Sequence, residues 1–129
     1  MTKVKVHEFD PIIYPYKIWI AVSNNLNTAC EMFLDAETDK DFVFSDGDNN
    51  SKYAAMALPA IKKDGRYCGT LITFKSKKEM SVKNIAHESS HAAKQLFEYI
   101  GADTRQHEPF EYVVGWIAEC CEKVLKNKE

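Results

Sequence analysis

The sequence predicts an α+β fold, in which a small antiparallel or mixed sheet precedes two helices. Three observations lead to this prediction. Residues 17–22 form a run of β-branched and aromatic side chains, two apolar runs flank an Asp-Gly pair at 64–65, and apolar residues recur at helical spacing over 81–100 and about 107–126. A chain of 129 residues with no linker or repeat fits one domain over 1–129.

Composition excludes two classes of partner. The chain carries 17 basic and 19 acidic side chains, for a formal charge of −2, whereas nucleic-acid binding normally needs a clustered excess of Lys and Arg. No stretch approaches the roughly 18 apolar residues of a membrane span, and the first residues lack the apolar centre of a signal peptide. We therefore expect no nucleic acid, no membrane, a cytoplasmic location and four reduced cysteines.

The first half of the chain supplies most of the predicted strands. Residues 17–22 (KIWIAV) read as a strand, and Val4 and Val6 alternate with polar residues in a shorter one. Residues 25–34 (NLNTACEMFL) place apolar side chains at helical spacing after polar residues suited to capping. We expect a helix over that segment.

Residues 45–51 (SDGDNNS) resemble a calcium loop only superficially. The EF-hand pattern requires Gly at its sixth position and Glu at its twelfth, and the residues there are Ser51 and Ala57. We interpret the segment as a solvated loop. A hairpin follows at about 53–74, because Asp-Gly between two apolar runs is a strong hairpin signal.

The helix over 81–100 has clear limits and a distinctive polar side. Ser81 is a good N-cap residue, and Gly101 is the residue type most favoured after a helix end. The helical repeat divides the remaining residues into two sides. The apolar side is predicted to hold Val82, Ile85, Ala86, Ala92, Ala93, Leu96, Phe97 and Ile100, and the polar side Asn84, His87, Glu88, His91, Gln95 and Glu98.

The polar side carries the sequence His87-Glu88-Ser89-Ser90-His91, an HExxH motif. Residues i and i+4 lie one turn apart on one face, so two imidazoles converge on one tetrahedral metal ion. The glutamate beside the first histidine is placed to take a proton from attacking water. The spacing predicts a zinc-dependent hydrolase with His87 and His91 as ligands and Glu88 as general base.

A catalytic zinc site needs a third protein ligand. Pro109 is favoured in the first turn of the second predicted helix, which puts Glu108 at the start of that helix, where the dipole favours an ionised carboxylate. His107 and Glu111 are competitors. Glu98 shares the histidine face but sits seven residues past His91, about 10 Å along the axis, which is too far. We rank Glu108 first.

The segments HESSH at 87–91 and HEPFEYVVGW at 107–116 resemble the small gluzincin-like metallopeptidases encoded by phages and prophages. The resemblance covers about the last 50 residues. It implies a minimal zincin-like domain with one zinc ion per chain, held by His87, His91 and Glu108, with Glu88 as catalytic base and a peptide or protein as substrate. Glu111 departs from the pattern, since small members often have Ala there, so the choice between Glu108 and Glu111 stays open.

Two other classes of function are compatible with these residues. In the first, the chain is a phage or mobile-element protein that contains the metal but acts by binding another protein. In the second, the histidines are ordinary surface residues of a metal-free α+β binding domain. The same ligand set serves active and inactive relatives, so the motif alone does not separate these hypotheses.

Overall fold

The computed structural model describes residues 4–44, 54–105 and 107–127, without the side chain of residue 107. Its strands are β1 (Val6–Phe9), β2 (Lys17–Val22), β3 (Phe33–Asp35), β4 (Lys40–Asp41), β5 (Ala55–Lys62) and β6 (Cys68–Phe74). Its helices are α1 (Leu26–Ala29), α2 (Val82–Ile100) and α3 (His107–Leu125), and a short 3-10 turn covers Lys77–Glu79. The predicted α+β class is confirmed.

The described strands form one six-stranded sheet in the order β1-β2-β6-β5-β3-β4. The pair β2–β6 is parallel and the other pairs are antiparallel, so the sheet is mixed. A parallel pair needs a long crossover connection, and here β3, β4 and β5 lie within it.

The sheet is covered on both faces. Ile18 and Ile20 of β2 pack in one cluster with residues of α2 and α3. Trp19 and Ala21 alternate with them and pack on the opposite face, with residues such as Phe33. This alternation is the period-2 pattern of a strand buried on both sides. It explains why residues 17–22 are apolar throughout.

The predicted hairpin is confirmed as β5 and β6. Its turn contains Gly65 at φ +85° and Arg66 at φ +55°, and Lys62 N–H donates to the Tyr67 carbonyl across its base. Asp-Gly therefore performs the role that the sequence indicates, because glycine adopts positive φ without steric cost. The predicted loop over 45–51 and the first residue of the predicted hairpin lie outside the described residues.

The prediction of a helix over residues 25–34 is correct only for its first part. Asn25 caps a helix as expected, accepting a hydrogen bond from Thr28 N–H, but α1 ends at Ala29. Phe33 then enters β3 and pairs with β5, where its ring packs 4.8 Å from the Trp19 ring. Helical spacing over ten residues also fits a short helix followed by a strand, and the buried sheet contact decides between them.

Both long helices are confirmed. The Ser81 side chain accepts a hydrogen bond from Asn84 N–H at the start of α2, and Gly101 at φ +74° ends it. The two helices pack antiparallel, as predicted, because Phe97 near the end of α2 meets Phe110 near the start of α3, with ring centroids 5.5 Å apart. No helix in the described ranges is long and apolar enough to cross a membrane.

The predicted division of α2 into two sides is wrong at three positions. Val82 is 87% exposed and Ala86 is also exposed, while Glu88 is buried with only 7% of its surface exposed. Ser89 is fully buried as well. The buried face of α2 is rotated relative to the predicted one. Ala and Ser residues contribute little to the hydrophobic periodicity from which the predicted face was derived.

Gly69 sets the close approach of β6 to β2. It lies opposite Lys17 in the parallel register, and a Cβ atom there would collide with the Lys17 carbonyl and lie 2.6 Å from the Trp19 ring. Gly69→Ala should therefore lower the free energy of unfolding by about 1–3 kcal/mol or more, since a backbone oxygen has to shift. Urea denaturation measures this change.

Gly115→Ala is the matched control. A Cβ at Gly115, within α3, meets nothing within 4 Å, so the same substitution should raise the free energy of unfolding by up to about 1 kcal/mol through helix propensity. A Gly69→Ala protein as stable as the wild type would contradict the β2–β6 register.

Candidate metal centre

Helix α2 brings His87 and His91 together on its exposed side. Their Nε2 atoms are 3.1 Å apart, and their ring centroids are 4.7 Å apart with the planes at 77°. Both side chains are exposed. The one-turn spacing of HExxH therefore produces two ring nitrogens that point at the same small volume.

This separation fits a chelate. Two nitrogens bound at about 2.0–2.1 Å to a tetrahedral zinc ion lie about 3.3–3.4 Å from each other. The observed distance of 3.1 Å is close to that value, so both imidazoles reach one cation with only small adjustments. In the absence of a cation, the same distance allows one Nε2–H to donate to the other ring nitrogen.

Glu88 lies beside the pair but is turned inward. Burial raises the pKa of its carboxyl above the ordinary value, and the neighbouring His87 and His91 act in the opposite direction. A carboxylate with a raised pKa is a stronger proton acceptor than a solvated one. The environment of Glu88 therefore suits a general base, although the sequence pattern had assigned it to the solvated side of the helix.

A hydrogen-bond chain joins α2 to two strands, β5 and β6, and to Tyr16, the residue before β2. The Tyr16 hydroxyl and Thr70 Oγ1 are 2.7 Å apart, and Thr70 Oγ1 donates to Gln95 Oε1 at 2.7 Å. Gln95 Nε2 in turn donates to the Ala57 carbonyl at 3.2 Å. Because the single Thr70 proton goes to Gln95, Tyr16 is the donor to Thr70.

The sequence did not predict this series of hydrogen bonds as part of the site. Gln95 lies one turn after His91 on the same side of α2, so its two bonds to the sheet hold the rotation of the turn that carries His91. Desolvation raises the pKa of Tyr16 to about 12, so its hydroxyl stays protonated and remains a donor at neutral pH. In the sequence, the feature that indicates this contact is a polar residue, Gln95, four positions after His91.

Helix α3 lies on the far side of α2 from the histidine pair. Ser89 is two residues from His87 and two from His91, so it points about 160° away from each around the helix. Its buried hydroxyl has no nitrogen or oxygen partner among the described residues, and it lies against the Cys121 thiol of α3. The contacts of α2 with α3 and with the sheet leave the histidine pair facing away from α3.

The remaining predicted ligands are not beside the pair. Glu108 and Glu111 are exposed in the first turns of α3, and Glu108 is two residues from Phe110, which faces α2. Within the described residues, no group of three His, Cys, Asp or Glu side chains is placed to hold a metal ion. The pair thus supplies two of the donors that a catalytic zinc site needs.

No family model, no curated protein and no solved structure matches the chain. The HExxH motif and the geometry of α2 are therefore the features that bear on function.

Proposed function

We propose that the protein is a zinc-dependent hydrolase, most simply a peptidase, whose site is built on α2. The observation that carries the proposal is the 3.1 Å separation of the His87 and His91 Nε2 atoms, with Glu88 on the adjoining buried side. The glutamate between them is the additional group that hydrolysis requires.

Zinc, when bound, would lower the pKa of water toward about 7 and polarise a substrate carbonyl. His87 and His91 would hold the ion through Nε2. Glu88 would accept a proton from the attacking water at its carboxylate and return it to the leaving amide nitrogen, which makes it both base and acid in one cycle. Its partial exclusion from bulk water favours both transfers, since its raised pKa lies nearer to neutrality.

Glu108 is the third ligand in this proposal, as the resemblance implies. Its exposed position on α3, with α3 on the other side of α2, requires the first turn of α3 to move when metal binds. Metal binding commonly orders a site that the free protein does not hold in place. A peptide or protein in the cytoplasm is the proposed substrate, with no role for nucleic acid or membrane.

A second function is supported by the two-donor geometry. If no third protein ligand reaches the histidines, zinc would bind weakly and the chain would act by binding another protein, with a site that has no catalytic turnover. The hydrolase needs the Glu88 carboxylate for turnover, whereas the protein-binding alternative does not. A Glu88 variant therefore distinguishes the two functions.

The metal-binding prediction concerns two side chains, those of His91 and Glu108. Wild-type protein purified without a metal column and then loaded with zinc should retain one zinc per chain, and His91→Ala should retain none, because one imidazole alone is a weak ligand. Glu108→Gln should weaken zinc binding by at least about 10-fold. Elemental mass spectrometry and competition with a chromophoric chelator measure these values.

His7→Ala and Glu111→Gln are the controls for this series. His7 belongs to β1 and is not part of the motif, so its loss should leave the zinc content unchanged. Loss of affinity in Glu111→Gln instead of Glu108→Gln would transfer the third-ligand role to Glu111. A wild-type protein that retains no zinc after loading would contradict the proposal.

The catalytic prediction concerns Glu88. Glu88→Gln keeps the size of the side chain but removes the proton acceptor, so it should retain zinc and lower kcat on a cleavable peptide by at least about 100-fold. The control is Glu98→Gln, an exposed carboxylate on the same helix. Equal activity of Glu88→Gln and wild type would exclude the mechanism. Zinc binding without peptide cleavage by the wild type would support the protein-binding alternative.

A further inference from the structure

An apolar groove lies between the segment before β2 and the first half of α3. Its volume is about 310 Å³. One wall consists of Pro11, Ile13 and Tyr14, and the other of Pro109, Tyr112 and Trp116. No residue of the HExxH motif lines the groove, so it is a separate feature from the histidine pair of α2.

The first wall is held in a strained backbone conformation. Ile12 has φ +70°, which is an outlier for a β-branched residue, and the Ile13 N–H donates to the Pro11 carbonyl at 2.7 Å. The Asp10 carboxylate accepts a second hydrogen bond, from the Ile12 N–H, at 2.7 Å. Strain in such a γ-turn persists only where the surrounding structure enforces it, and it is concentrated at binding sites. This wall is therefore ordered before any ligand binds.

Both walls expose large apolar side chains to solvent. Ile13 is 78% exposed, and Tyr112 opposite it is 73% exposed. Ile12, next to the groove, is 86% exposed. Contiguous exposed apolar surface on a soluble domain commonly marks a binding site.

The aromatic rings of the groove carry unused hydrogen-bond donors. The hydroxyls of Tyr14 and Tyr112 and the Nε1–H of Trp116 have no partner within the residues that the structure describes. A ligand that offers only apolar surface would leave these donors unused. The groove therefore suits a ligand with both apolar surface and free acceptors.

Carboxylates border the aromatic wall. Glu108 precedes Tyr112 by four residues and Glu119 follows Trp116 by three, so each carboxylate lies beside a ring of the groove. Both glutamates are exposed, and neither has an ion-pair partner in the described parts of the chain. The first lysine or arginine of α3 is Lys123, about 10 Å along the helix from Trp116. A ligand with a positive charge complements this border.

We propose that the groove binds a proline-rich segment of another protein, in the polyproline II conformation, with a basic residue beside the prolines. A polyproline II helix has no internal hydrogen bonds, so its proline rings pack on aromatic side chains while its carbonyls accept from the ring donors. The carbonyls of an α-helix are already bonded internally. A β-strand needs an open sheet edge, whereas this groove is formed by a loop and a helix.

The test is an NMR titration of the full, metal-free chain with the blocked peptide Ala-Pro-Leu-Pro-Pro-Leu-Pro-Ala-Arg. Removal of metal prevents cleavage of the peptide, so the result does not depend on hydrolase activity. The two tryptophans report separately, because Trp116 lines the groove and the Trp19 Nε1–H donates to Glu8. The indole N–H signal of Trp116 should shift and saturate, and that of Trp19 should stay unchanged.

Two altered peptides test the chemistry of the ligand. A peptide with Ala in place of each proline should bind at least about 10-fold more weakly, because it is not ordered before binding. A peptide with Glu in place of Arg should bind about 3-fold more weakly or worse, since its charge repels the carboxylates that border the groove.

Variants of the protein test the location. Tyr112→Ala should weaken binding of the proline-rich peptide by at least about 10-fold, because it removes a ring from one wall. Tyr67→Ala is the matched control, since Tyr67 is 54% exposed in the turn between β5 and β6, and it should bind as the wild type does. Glu119→Gln should reduce the preference for Arg over Glu in the peptide. Glu37→Gln, an exposed carboxylate between β3 and β4, should keep that preference.

The proposal is overturned if the Trp116 signal shows no saturable shift. Equal affinity for the alanine peptide, or equal weakening by the two tyrosine variants, would overturn it as well. A wild-type protein that sediments as a dimer, and becomes a monomer in Tyr112→Ala, would assign the groove to a second copy of the chain and reject the proline-rich ligand.

Discussion

Burial of one face of α2 fixes the rotation of this helix about its own axis, and that rotation sets the geometry of the candidate site. Ala92, Ala93 and Leu96 are fully buried, and burial of apolar surface at about 25 cal/mol per Å² opposes any other rotation. With that face fixed, Ser89 meets α3 and the two histidines point away from it. The Gln95 bonds to Thr70 and Ala57 hold the same rotation from the sheet side.

The fixed rotation of α2 explains why the structure brings His87 and His91 together but does not bring the proposed third ligand, Glu108, beside them. His87 and His91 belong to one rigid helix, so their Nε2 atoms converge without help from any other element. A third ligand has to come from another element, and the contacts between α2 and α3 hold Glu108 on the far side of α2. The proposed hydrolase therefore requires a movement of α3, while the alternative of a protein-binding role requires none.

Sequence patterns predicted those parts of the fold that depend on local chemistry. The Ser81 cap and Gly101 gave the limits of α2, and Asp64-Gly65 gave the hairpin, because each acts through backbone conformation at one position. The segment around Phe33 was mistaken for helix because pairing with β5, a distant strand, decides its conformation. Glu88 and Gln95 were read as solvated residues, since their burial follows from how α2 meets the sheet, which the sequence of α2 does not contain. Convergence of the histidines was predictable; the position of Glu108 relative to them was not.

X-ray absorption at the zinc edge of the loaded wild-type protein reports directly whether the two imidazoles of α2 bind one metal ion. We expect two imidazole nitrogens at about 2.0–2.1 Å, with oxygen ligands completing the shell. A first shell without imidazole scattering, or one with sulfur at about 2.3 Å from the cysteines, would contradict it.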